Sequence, residues 1–318
     1  MRVIWVACFA LILSACASVP PVAEKRIALT FDDIPRSAGA FLSPDERTVR
    51  LIAALDAAGV DQAAFFLNPG NIPERAGAED QIAAYVAAGH VIANHSHTHP
   101  HLSDLTAADY LADIDAAMAA LEGRGGYRAW FRYPYLDEGQ ADTEKRDAVR
   151  AGLAQRGLLN GGVTVDASDW FYEQATIDAV AAGKAIDMDA LRDLYVESHV
   201  QSAEFNYDLA RRTLGRSPAH VMLLHETDLA ALYIGDLVAA LRAAGWQIVS
   251  ADAAFADPIY RATPDTAFAQ GTVTEQLAWE AGLPAPRWYA RNDTELAGRL
   301  FAQRVLGEAI ELQEEADE

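Results

Sequence analysis

The sequence predicts an α/β protein built on a parallel (β/α) barrel of seven strands. Three observations carry this. Short apolar runs alternate with longer amphipathic stretches from Arg26 onward. The amphipathic stretches stop at a glycine shortly before the next apolar run, the usual punctuation of repeated βα units. No glycine-rich phosphate loop follows the first strand, where the chain reads Thr30-Phe31-Asp32-Asp33-Ile34-Pro35, and this argues against a nucleotide-binding doubly wound sheet.

The expected strands cover residues 26–31, 62–67, 90–94, 128–132, 161–166, 220–225 and 246–250. The first helix, 44–58, opens after Ser43, whose hydroxyl suits an N-cap, and closes at Gly59. Helices over 79–88, 107–122, 141–156 and 234–244 close at Gly89, Gly123, Gly157 and Gly245. Two regions break the repeat. Residues 171–219 read as a largely helical insertion between the fifth and sixth strands, and 252–318 as a C-terminal extension that packs on the barrel and ends in an acidic tail.

With 318 residues, 51% of them hydrophobic, the chain has enough apolar material for a sizeable core. A formal net charge of −21 makes nucleic acid an unsuitable partner. The N-terminus differs from the rest. Arg2, an apolar run over 3–13, and then Leu13-Ser14-Ala15-Cys16 resemble a bacterial lipoprotein signal cut before a lipidated cysteine. Residues 1–15 are therefore expected to be a signal peptide and 16–25 a tether. The mature chain is expected to be exported and held at the cell envelope by a lipid on Cys16, facing the periplasm. The only cysteines are Cys8 and Cys16, so neither a disulfide nor a thiolate metal site is expected in the mature chain.

Polar residues gather where the strands end. In a parallel barrel the loops after the strands meet on one face, which carries the active site. Asp32-Asp33 end the first strand, Asn94 to His99 the third, Arg132 to Tyr135 the fourth, Asp166 to Trp170 the fifth, and His225-Glu226 the sixth. His95 and His99 are four residues apart, so a helical turn after the strand would put both imidazoles on one side. Two imidazoles and one carboxylate leave an open coordination position, the pattern of catalytic zinc. The carboxylate is Asp32 or Asp33. His90 and His220 open strands at the other end of the barrel and read as structural, while His97 and His101 read as locally hydrogen-bonded or solvent-facing.

The set Thr30-Phe-Asp-Asp33, His95-Ser-His-Thr-His99-Pro100, Arg132-Tyr-Pro-Tyr135, Asp166-Ala-Ser-Asp-Trp170 and Leu223-Leu-His225 resembles, in order, the five motifs of the polysaccharide deacetylases. These are the NodB-homology enzymes of carbohydrate esterase family 4. The resemblance runs from Arg26 to about Ser250 and implies a distorted barrel, with residues 26–251 as the catalytic domain. It implies that Asp32 is the general base, that Asp33, His95 and His99 bind the metal, and that Arg132 holds and tunes the base. The backbone N–H of Tyr135 is implied to face the oxyanion. Asp166 would orient His225 as the general acid, and Trp170 and Leu223 would wall the pocket for the acyl methyl group.

The resemblance implies one divalent metal ion per chain, in the first place Zn2+, with Co2+ or another divalent ion as the alternative. The implied substrate is an N-acetylhexosamine poly- or oligosaccharide of the cell envelope. O-acetyl esters and lipid-linked formylated sugars are the alternatives, since the same metal, base and acid serve all three. A carbohydrate-binding lipoprotein without catalysis is disfavoured because Asp32 and His225 are both present. Ile34 and Leu136 stand where the family often has glycine, and both lie in loops that shape the cleft.

Overall fold

A computed structural model of the chain describes residues 25–309. The expected signal peptide, Cys16, nearly all of the tether and the end of the acidic tail lie outside the described residues. In chain order the elements are β1 (Arg26–Ile34), α1 (Pro44–Ala57), β2 (Ala64–Leu67), α2 (Ala78–Ala87), β3 (Val91–Asn94), α3 (Ala107–Leu121), β4 (Tyr127–Phe131), β5 (Asp137–Gln140) and α4 (Thr143–Gln155). There follow β6 (Leu159–Asn160), α5 (Asp169–Ala181), α6 (Met188–Leu214), β7 (Ala219–His225), α7 (Asp228–Ala243) and β8 (Gln247–Ile248). The chain ends in α8 (Ala251–Phe255), β9 (Ala269–Gln270), α9 (Val273–Glu280) and α10 (Thr294–Arg304).

Seven strands form one parallel sheet in the order β6-β4-β3-β2-β1-β7, with β8 paired to the start of β1. Beyond β6 the chain returns to β7 through a parallel bridge, Val165 to Met222, which curls the sheet into a distorted barrel. Local chemistry sets the helix ends. Ser43 and Glu46 form a reciprocal capping box at α1. α7 begins at Asp228, earlier than its apolar periodicity suggests, because the Thr227 side chain accepts from Ala230 N–H and caps it there.

Two apolar layers follow from strand periodicity. In β1, Ile27, Leu29 and Phe31 pack with the helices, whereas Ala28 faces the barrel interior. In β2, Phe65 and Leu67 face outward and Ala64 and Phe66 inward; in β7, Met222 and Leu224 face outward and Val221 and Leu223 inward. Side chains alternate along a strand with period two. Asp32 continues the inward row of β1, His95 that of Val91 and Ala93, Arg132 that of Trp130, and His225 that of Val221 and Leu223. The barrel core and the polar site are thus one register, apolar along the strands and polar at their C-terminal ends.

The fifth expected strand, 161–166, is corrected: only Leu159–Asn160 and the single bridge at Val165 are paired. Gly161-Gly162 breaks it. Gly161 N–H donates to the Phe131 carbonyl at 2.6 Å and its own carbonyl accepts from Arg132 Nε at 2.7 Å, so the chain turns in against the barrel interior. The short antiparallel pair β5–β9 was not expected from the sequence; neither piece is long enough to show a period. It ties the C-terminal region to the loop after β4, while α10 lies against α5 and α6.

A Cβ built on Gly161 would lie 2.7 Å from the Phe66 ring. Gly161→Ala is therefore expected to destabilise the fold by about 1–3 kcal/mol, the usual cost of overfilling a packed core. Urea unfolding followed by circular dichroism checks this; an unchanged midpoint would mean that Phe66 moves aside freely.

Candidate active site

The base of the site is an ion pair inside the barrel. Arg132 is fully buried; its Nη1 donates to Asp32 Oδ1 at 2.5 Å and to Thr30 Oγ1 at 2.9 Å. The guanidinium lies 3.8 Å from the centre of the Phe66 ring. A charge so placed requires its partner, because removing one member of a buried pair leaves the other uncompensated. One oxygen of Asp32 is thereby fixed, while the carboxylate remains on the wall of a cavity of about 430 Å3.

Asp33 sits beside it with φ 69°, a left-handed conformation that swings its carboxylate away from the row of β1. His95 and His99 approach from the β3 loop. The helical turn expected after β3 does not form. Instead Ser96 and His99 take positive φ, with Asn94 Oδ1 accepting from Ser96 N–H and Ser96 Oγ accepting from His99 N–H. The Asp113 carboxylate accepts from the N–H groups of His97 and Thr98 and closes the loop. The imidazoles still converge.

Asp33 Oδ1 lies 3.0 Å from His99 Nε2 and 3.5 Å from His95 Nε2, and one ligand atom from each residue falls within 4.8 Å of the others. Ligand atoms about 2.0–2.2 Å from a tetrahedral zinc ion are spaced by roughly 3.3 Å, so these separations fit. Asp33 Oδ1 is buried and accepts no well-aligned hydrogen bond, as expected of a ligand atom aimed at an ion. His95 Nδ1 is 2.9 Å from the Arg132 carbonyl, which assigns the proton to Nδ1 and leaves Nε2 as a lone-pair donor. Burial pushes the His95 pKa down to about 4, keeping the ring neutral. Burial opposes ionisation of Asp33, but contact with His99 and the charges of His225 and Arg36 outweigh it and hold its carboxyl well below the usual range. The residues present fit a divalent cation.

His225 lies across the cavity, its Nε2 4.0 Å from Asp33 Oδ2. The structure corrects its expected partner. Asp169, not Asp166, holds His225: Asp169 Oδ1 is 2.7 Å from Nδ1, and Oδ2 accepts from the His225 N–H at 2.7 Å. Burial lowers the His225 pKa, yet the fully buried Asp169 carboxylate, aided by Asp33, more than offsets it and raises it to about 9. Asp166 also lines the cavity, but it accepts from Ser168 N–H and from Asn292 Nδ2, and burial pushes its pKa up to about 6.

The remaining expected residues divide. Leu223 is buried in the cavity wall, whereas Trp170 is 44% exposed and forms its lip. Tyr135 lies at the cavity edge with φ 58°, its ring stacked on His101 at 3.5 Å and edge-on to His99. His101 in turn contacts Asp137, and His90 and His220 make local hydrogen bonds far from this face. Sequence reasoning missed four participants: Asp169, Arg36 on Asp33 at 2.6 Å, Gln174 on the wall, and Asn292 from the C-terminal extension. Only Asp169 carried a usable signal, as a second acid in the motif already singled out.

Comparison with known proteins bears on this site. Residues 20–155 match the family model for polysaccharide deacetylases. No curated protein matches the chain. Among solved structures, the chain is similar to a family 4 carbohydrate esterase from Streptomyces lividans in complex with acetate, at 25% identity over 73% of this chain and 97% of that one, with a TM-score of 0.47. It is also similar to the peptidoglycan deacetylase PdaC from Bacillus subtilis, at 21% identity over 71% and 88% of the two chains, TM-score 0.45. A chitin deacetylase from the fungal pathogen Colletotrichum lindemuthianum shares 22% identity over 71% and 86%, TM-score 0.47. The family match spans the strands that lead to Asp33, His95 and Arg132, less than half of the 318 residues, and over that stretch the chain is similar to the polysaccharide deacetylases.

Proposed function

We propose that the chain removes N-acetyl groups from N-acetylhexosamine units of an envelope saccharide, with a divalent metal, in the first place zinc, held by Asp33, His95 and His99. The observation that carries this is the division of one cavity between two opposed proton-handling pairs, Asp32 with Arg132 and His225 with Asp169. When bound, the metal supplies Lewis acidity and brings water close to ionisation at about pH 7.

The chain's own residues do the rest. Asp32, held in place by its ion pair with the Arg132 guanidinium, accepts a proton from the attacking water as the new C–O bond forms. His225 enters protonated at neutral pH because Asp169 supports its cationic form. Its Nε2 gives that proton to the sugar nitrogen as the C–N bond breaks, so the amine leaves neutral and acetic acid forms, which loses its remaining proton to solvent as acetate. The backbone N–H of Tyr135 is assigned to the developing oxyanion, a role of the kind preorganised donors fill. Leu223 and Trp170 are assigned to the acyl methyl group, Leu223 as buried wall and Trp170 as lip.

In this reading residues 26–251 form the catalytic domain and the C-terminal extension braces it through Asn292. Export and lipidation at Cys16 are part of the proposal and rest on Leu13-Ser14-Ala15-Cys16 alone. Product analysis of a chitooligosaccharide digest tests the reaction: free amine with one equivalent of acetate is expected, while release only from O-acetylated sugars would transfer the same site to ester hydrolysis.

Asp32→Asn is expected to lower turnover by about 10²–10⁴-fold, the range of a general base, while metal analysis still finds one ion per chain. His95→Ala is expected to lose both metal and activity; retention of metal would place the ion elsewhere. Asp169→Asn removes the charge that raises the His225 pKa but leaves the burial that lowers it. The protonated acid is then lost at lower pH, so the alkaline limb of the kcat profile should move downward. An unmoved limb would separate His225 from the acid role.

A further inference from the structure

A second cavity of about 330 Å3 opens beside the first and shares Asp33, Arg36, His99 and Gln174 with it. The short 3-10 helix Pro69–Glu74 after β2 brings Asn71 and, just past its end, Arg75 to the cavity wall. Three arginines line this cavity, and their partners differ. Arg36 pairs with Asp33 at 2.6 Å, and the buried Arg47 pairs with Glu226 at 3.1 Å and Asp228 at 3.3 Å. Arg75 meets no carboxylate among the described residues; it donates to the Ser37 hydroxyl, and its Nε is buried without a partner.

The two acids lining this cavity do not neutralise Arg75: Asp33 is paired with Arg36, and Glu173 is engaged at the start of α7. Glu173 accepts from the backbone N–H groups of Asp228 and Leu229 at the start of α7, and burial beside Asp228 pushes its pKa up to about 7. An unpaired guanidinium facing a cleft is notable in a chain of net charge −21, where acids outnumber bases. Guanidinium forks recognise carboxylate and phosphate oxygens in two-point contacts, and recognition strengthens where the site is partly desolvated.

We propose that this second cavity is a subsite for an anionic substituent, a carboxylate or phosphate, on the sugar unit next to the acylated one. Arg75 binds the oxyanion and the Asn71 carboxamide adds a second donor. The inference rests on the reading of the first cavity as the site of deacetylation, and it names a substrate class: acidic rather than neutral saccharides.

The test is calorimetric titration of the zinc-loaded full chain with three disaccharides. One is the neutral N-acetylglucosamine dimer, one carries a carboxylate as N-acetylglucosaminyl-N-acetylmuramic acid, and one is the neutral dimer phosphorylated on one ring. At least one acidic ligand is expected to bind about tenfold more tightly than the neutral one, as one hydrogen-bonded charge pair allows, and the two acidic arms show which oxyanion is preferred. Arg75→Gln should erase the preference while leaving neutral binding and zinc content intact. Arg75→Lys should keep part of it, and Asn71→Ala should reduce it. Equal affinity for neutral and acidic ligands, or a preference unchanged in Arg75→Gln, overturns the subsite. Acetate release is followed in parallel: its absence with the binding preference intact would count against the deacetylase reading and leave the subsite standing.

Discussion

The buried guanidinium of Arg132 is the constraint on which the rest of the site depends. It joins β4 to Asp32 and Thr30 on β1 and to the Gly161 carbonyl where β6 turns away, while the backbone carbonyl of the same residue fixes His95 on β3. Full burial makes these contacts obligatory, since an uncompensated charge at that depth costs several kcal/mol. A single residue therefore holds the proposed base through its side chain, the tautomer of one proposed metal ligand through its carbonyl, and the turn that shapes the cavity floor. The stack on Phe66 and the close approach of Gly161 explain why this part of the barrel tolerates so little extra volume.

Strain accumulates on the same face. Asp33, Ser96, His99, Tyr135, Leu136 and Ser168 all adopt positive φ; Asp33 lies at the end of β1, and the others in the segments that follow β3, β4 and the bridge at Val165. Non-glycine residues in this region are uncommon and cost of order 1–3 kcal/mol when held there against their preference. Local hydrogen bonds compensate. Asn94 and Ser96 brace the histidine loop, and Asp166 accepts from Ser168 N–H before α5 starts. Isolated loops of these sequences would not take such conformations; the packed strands beneath them impose it.

Most of the fold was legible because strand and helix periods are properties of adjacent residues. Six of the seven expected parallel strands and the delivery of Asp32, His95, Arg132 and His225 to one face follow from inward rows that end in polar residues, whereas the choice of Asp33 over Asp32 as metal ligand came from the family resemblance. The misreadings share a different cause. Choosing between Asp166 and Asp169 as the partner of His225 depends on where the chain leaves the sheet, and that is set by Gly161-Gly162 approaching Phe66 and Arg132, contacts remote in sequence. The turn after β3 was misread as helical because a spacing of four between histidines suits a helix, whereas Asn94, Ser96 and Asp113 dictate a tighter loop. Arg36 and Asn292 carried no local signal, since their relevance arises only from the tertiary placement of Asp33 and Asp166.

The proposed chemistry requires Asp33, His95 and His99 to share one cation. Zinc-edge X-ray absorption of the metal-loaded protein addresses this most directly. Two imidazole nitrogens at about 2.0–2.1 Å and one carboxylate oxygen at about 2.0–2.2 Å, with the remaining position occupied by exchangeable solvent, are the result it predicts. A shell of oxygen ligands alone, or a spectrum unchanged when His99 is replaced by alanine, would contradict it.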